Sequence, residues 1–229
     1  MKTGTALTIA LMAIGSFVVV DFVGYDFRNV LKIFRLHRHT NGGGIVADSA
    51  FVEDTVFVGR EASVRGYARV VDDVRIEGKA IVDGYAEVSD TALISGNAHI
   101  HEKAKVSGNA KIKHRANIHG NAEISGGSSF WETGPTVQSS AEVDNRAKVF
   151  GNAIIGANAK IHEFAEVYGD ATVGEDADIY GSAEIFGAAI VGGKCVVRGR
   201  AKISGSARVF DLLFEKGEVY SGVQRGPKK

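Results

Sequence analysis

"VSGNAKIKHRANIHGNAEISGG", residues 106–127, places Val106, Ile112, Ile118 and Ile124 six residues apart, with Ala104, Ala110, Ala116 and Ala122 two residues before them. Working outward, the same phase holds from Val46 to Ile124, always with Val or Ile, and resumes from Val143 to Val209. The position two residues earlier is Ala almost throughout; Val56 and Val74 are larger, and Cys195 stands where Ala is due. A period of six excludes an amphipathic helix, whose apolar positions recur at 3.6. It suits a short strand with two inward residues, two apart and therefore on one side, followed by a turn. The turn positions carry Gly96-Asn97, Gly108-Asn109, Gly120-Asn121 and Gly151-Asn152, residue types that accept positive φ at least cost. Strand, corner, strand, corner is a solenoid.

Over residues 44–210 the chain resembles the hexapeptide-repeat proteins, and its "GNAxIxG" words resemble the loop-free enterobacterial and prophage type. The resemblance implies an all-β fold, a single-stranded left-handed parallel β-helix with three hexads, eighteen residues, to each triangular coil. About nine coils at about 4.8 Å each give a prism roughly 45 Å long. Relatives of this kind are typically homotrimers, and the resemblance implies the same here.

The 229 residues carry no net charge and include 29 Gly, 2 Pro and a single cysteine, Cys195. Neutrality gives no reason to expect a nucleic-acid partner. One cysteine excludes an internal disulfide framework, and its place in the small-residue column marks it as a buried filler. Three segments are expected: residues 1–40, hydrophobic with a basic flank; 41–210, the solenoid; and 211–229, a C-terminal cap over the last coil with "RGPKK" as its tail. "ALTIALMAIGSFVVVDFVGY", residues 6–25, just reaches the length of a spanning helix, and Arg28, Lys32, Arg35 and Arg38 follow it. A helical membrane anchor, a cleaved export signal and a buried assembly segment are the three readings, so the protein is expected to be membrane-associated, exported or part of a larger assembly.

Ile124 and Val143 stand nineteen positions apart, one more than a coil. Residues 125–142 therefore read as an irregular coil with a one-residue bulge, and no long loop is expected to leave the prism. Trp131 and Pro135 lie in this stretch, where a ligand shelf beside Trp131 is the functional alternative. Residues one coil apart stack, so Phe150, Tyr168 and Phe186 form an outer aromatic column, and Ile154 and Ile190 mark a flat apolar face. Such patches mark contacts, and these five residues are the expected oligomer interface. A third face is polar, with Lys160, His162, Asp178, Tyr180 and Arg198.

His101 and His119 are also one coil apart, with His99 beside the first and His114 at a corner. "AHIH" (98–101) and "HRANIHG" (114–120) resemble the metal site of the gamma-class carbonic anhydrases, which implies zinc held by His101, His119 and the His114 of a neighbouring subunit. Three imidazoles with an open fourth position suit catalytic zinc. Ser95-Gly96 stand where that family carries Gln-Asp. A hexapeptide acyltransferase is the other enzymatic reading, with His162-Glu163 as its base. The expectation that leads is structural: a rigid homotrimeric prism, joined to a membrane or an assembly through its N-terminus, without a catalytic site or required cofactor.

Overall fold

Each inward Val or Ile and the Ala two positions before it line one side of a strand two or three residues long, and the chain turns before the next pair. The computed structural model describes residues 35–127 and 133–226 in full, and the backbone of Leu7–Ala13 and Ser16–Phe22. All elements of the described residues are strands. Apart from an N-terminal pair, they stack into three sheets of eleven, ten and ten strands, which from Ile45–Ala47 onward close a parallel β-solenoid of about ten turns. Face I runs from Leu36–Arg38 through His99–Ile100, Asn117–Ile118, Glu142–Val143 and Lys160–Ile161 to Leu213–Phe214. Face II runs from Phe51–Val52 through Glu123–Ser125 and Lys148–Phe150 to Glu218–Val219, and face III from Phe57–Val58 through Thr136–Val137 and Ile154–Ile155 to Val223–Arg225.

The register is that of a coil of three hexads: Val82 pairs with Ile100, and Ile100 with Ile118. The inward ladders are sealed, with Ile100, Ile118, Ile161 and Ile185 all 0% exposed. β-Branched side chains suit this pleated, fully buried setting. Ala at the preceding inward position leaves room for the corner. Cys195 fills that position and is buried, and burial pushes its thiol up to about 11, so it is a packing residue.

From Val64 to Val209, Ile124 excepted, the backbone turns left-handed two residues after the inward Val or Ile. Gly96, at φ 75°, shows why glycine recurs there: a Cβ on it would lie 2.8 Å from the Cα of His114 in the next coil. Asp72, Asp90, Glu102, His114 and Glu163 occupy equivalent corners with φ of 59–61°. Each offers a side-chain acceptor to the backbone N–H of the corner one coil on. Asp72 accepts from Asp90 at 3.0 Å, Asp90 from Gly108 at 2.8 Å and Glu102 from Gly120 at 3.0 Å. Glu163 accepts from Gly181 at 3.0 Å, and His114 Nδ1 from Ser139 at 3.3 Å.

The break differs from the one-residue bulge that its length suggests. Val143 pairs with Ile118 on face I and does not continue the face II ladder of Ile124. Val137 pairs with Ile112 on face III, at the same lengthened interval. Val137 thus comes thirteen positions after Ile124, where a hexad would use six. Seven residues more than a hexad are spent at the corner between faces II and III, an excursion from the hexad phase. Its feet meet: a Cβ on Gly126 would lie 3.2 Å from the Gly134 Cα. Thr133 Oγ1 donates to Asn152 Oδ1 at 2.6 Å, and buried Pro135 takes the small inward position. The expectation of a prism without loops is thus corrected. Trp131, with its proposed shelf, lies outside the described residues.

The C-terminal segment covers the core by extending the ladders. Phe214 pairs with Val197, Val219 with Ile203 and Gln224 with Val209, so each successive interval is one position shorter than the last. Leu212, Phe214 and Val219 pack against the core, while Leu213 is exposed. This last tight turn brings the total to about ten turns rather than nine.

Residues Met1–His37 form a unit of their own. Leu7–Ala13 and Ser16–Phe22 pair antiparallel, Leu7 opposite Phe22 and Ala13 opposite Ser16. Both stretches are extended. The rest of the hydrophobic segment, residues 1–6, 14–15 and 23–34, lies outside the described residues. No helix among the described residues is long and apolar enough to cross a membrane.

Candidate functional site: the ladder of ionisable side chains on face I

Each strand of face I presents two outward residues, one on either side of its inward Val or Ile. Register then builds two columns. The first carries Asp83, His101, His119, Asp144, His162, Tyr180 and Arg198. The second carries His99, Asn117, Glu142, Lys160 and Asp178.

His101 and His119 are brought together as their spacing requires, with ring centroids 4.9 Å apart and planes within 12°. His99 stacks on His101 at 4.2 Å, and His101 Nε2 lies 3.2 Å from Asn117 Oδ1. Burial, then the neighbouring His99 and His119 rings, hold the His101 imidazole below the usual histidine range, in favour of its neutral form. His114 does not join them within one chain. It occupies the corner between faces III and I, where its ring accepts the Ser139 N–H.

The seven extra residues decide which side chains sit beyond His119. They seat Glu142 and Asp144 in the next coil, and His119 Nε2 donates to Glu142 Oε1 at 2.9 Å, with Asp144 Oδ2 at 3.9 Å. The hydrogen bond from His119 holds the Glu142 carboxyl below the usual range, against its partial burial and with help from Lys160. Burial raises Asp144. Farther along, His162 donates to Asp178 at 2.8 Å and stacks on Tyr180 at 4.9 Å, and Arg198 donates to the Tyr180 hydroxyl at 3.1 Å and to Glu215. A shallow depression of about 330 Å³ opens among Glu142, Asp144, Lys160, His162 and Asp178.

Two trios among the described residues could hold a cation, Asp83–His99–His101 and His119–Glu142–Asp144, the donor atoms of each lying within 4.8 Å of one another. Glu142 and Asp144 are missed by a reading that gives every coil three hexads and nothing more. Their signal is Val137, in hexad phase with Val143, and Pro135 in the small-residue column before it.

Phe150, Tyr168 and Phe186 stack along the end of face II, at 4.7 and 5.0 Å with planes within 4°. Across the corner, Ile154 and Ile190 project from face III, and Ile154 is 42% exposed. The apolar strip therefore wraps the edge between faces II and III. The excursion leaves from the same edge, since Ser125 pairs with Phe150. The three rings of that aromatic column are half-buried, whereas Tyr67 and Tyr85 form an exposed stack at 5.3 Å on another corner. No family model matches the chain, and no curated protein is significantly similar to it.

Proposed function

We propose that this protein is a structural solenoid that assembles with copies of itself, as a homotrimer, along the edge between faces II and III. The parallel solenoid fits a structural protein. The observation that carries the assembly is the strip of Phe150, Tyr168, Phe186, Ile154 and Ile190 that wraps one edge beside the excursion. Stacked aromatic rings are rigid and bury much apolar area at little entropic cost. In this reading the hydrophobic N-terminal segment, residues 6–25, joins the prism to a membrane or a larger assembly.

An acyltransferase draws less support. His162-Glu163 lie on face I and its corner with face II, whereas the excursion leaves from the edge opposite face I. A zinc hydratase would need His114 to leave the corner bond it makes with Ser139.

Maleimide labelling of an introduced thiol tests the edge, because native Cys195 is buried. Ile154→Cys should react slowly in the assembled protein and promptly after dilution to monomers. Lys160→Cys, exposed on face I, should react promptly in both. Equal prompt reaction at both sites would show that the edge is free and end the proposal.

A further inference from the structure

We propose that Asp83, His99 and His101 form a site for a first-row divalent metal ion of the zinc type, built wholly within one chain. His99 and His101 flank inward Ile100, so the period of two sends both rings outward on face I. Asp83 lies one coil earlier, in register with His101. One donor atom of each residue lies within 4.8 Å of the other two.

The Nε2 atom of His99 points to a ligand. It is shielded from solvent and makes no hydrogen bond, although Asp83 Oδ2 is 3.2 Å away. The two atoms are close but not aligned for a proton between them. A shielded nitrogen without a hydrogen bond carries a desolvation cost. Two ligands on a tetrahedral zinc with bonds of about 2.0 Å stand roughly 3.3 Å apart, so the observed separation is that of neighbouring ligand atoms. His101 completes the set: donation from Nε2 to Asn117 leaves the Nδ1 lone pair for the ion, and the outer bond fixes the ring. Stacking of His119 also holds the His101 ring in place; His99 stacks on it at 4.2 Å and would turn out of that stack to aim its in-plane lone pair at the ion. A fourth position on a tetrahedral ion would take water.

The second trio is different. His119 already donates to Glu142, and Lys160 stands 3.7 Å from the other Glu142 oxygen. Its charges are matched without an ion. The proposed set also differs from His101, His114 and His119, and it needs no neighbouring subunit. It stands independently of the assembly reading.

Equilibrium dialysis of the full chain against Zn²⁺ in chelator-free buffer is the test, with the visible spectrum of the Co²⁺ form as second readout. The wild type should take up one ion per chain. His99→Ala and Asp83→Asn should weaken binding by more than about 100-fold, beyond the loss typical of an outer-shell partner, and abolish the Co²⁺ bands. Glu142→Gln should leave both readouts unchanged. Far-UV circular dichroism identifies any variant that has lost the fold; these side chains point outward, so the fold should persist. Absence of saturable binding, binding that survives His99→Ala, or binding lost on Glu142→Gln would overturn the proposal.

Discussion

Asp90 holds a left-handed corner at φ 61° and accepts the Gly108 N–H at 2.8 Å. Left-handed backbone costs a non-glycine residue roughly 1–2 kcal/mol, and the hydrogen bond to a charged acceptor offsets it by about 1.5–3 kcal/mol. Asp90→Ala keeps the strained backbone and loses the acceptor, so chemical denaturation should show a loss of about 1–3 kcal/mol. Asp90→Gly loses the acceptor but relieves the backbone, and should cost less. No loss in Asp90→Ala would show that the carboxylate is idle. His114 performs the same task with an imidazole, which explains a histidine at a corner without chemistry. Glu142 gives a pH signature. Its pKa lies below the unfolded value, so the stability it contributes is present at neutral pH and lost as pH falls through the depressed folded pKa. His119→Ala should move the Glu142 titration, followed by carboxyl ¹³C shifts, up toward the usual carboxylate range and reduce the acid sensitivity of the fold. An unmoved titration would rule out His119 as the cause.

At the scale of the element, the unit is the hexad. Ile161 is fully buried within its ladder, and Ile161→Ala should cost about 2–5 kcal/mol in thermal or chemical unfolding. The hexads were legible because one period governs Val46 to Ile124, and every inward residue in that run is where the period places it. So were the stacked His101 and His119 and the aromatic column, which need only the coil of three hexads. The coil beyond Ile124 was not legible in the same way. Two arrangements span Ile124 to Val143 equally well, three hexads with a bulge or one excursion followed by two hexads, and only pairing of Val143 with Ile118 distinguishes them. The choice moves Val143 from face II to face I and brings Glu142 and Asp144 to His119. Deleting residues 127–133 tests this. It joins Gly126 to Gly134, leaving "ISGGPTV" as a regular hexad, and should keep the circular dichroism spectrum and a melting temperature within a few degrees, since shortening a surface loop changes closure entropy little. A bulged coil would instead be thrown out of register by that deletion and lose its fold.

At the scale of the whole molecule, a solenoid buries its strands against their neighbours along one axis, so its ends and its outer faces decide what it joins. The last turn tightens and leaves Leu213, Tyr220 and Val223 exposed at 59%, 70% and 65%. Face I is an ionisable ladder, and the edge between faces II and III is an apolar one. The proposed self-assembly along that edge would give the chain a function that needs rigidity and surface rather than a deep pocket. Light scattering on the full chain in mild detergent, with absorbance and refractive index separating protein from bound detergent, tests this most directly. The account expects a particle of about three times the 24.2 kDa chain mass, reduced to one chain by Tyr168→Asp with the fold intact. A wild-type particle that remains a single chain at high concentration would contradict it.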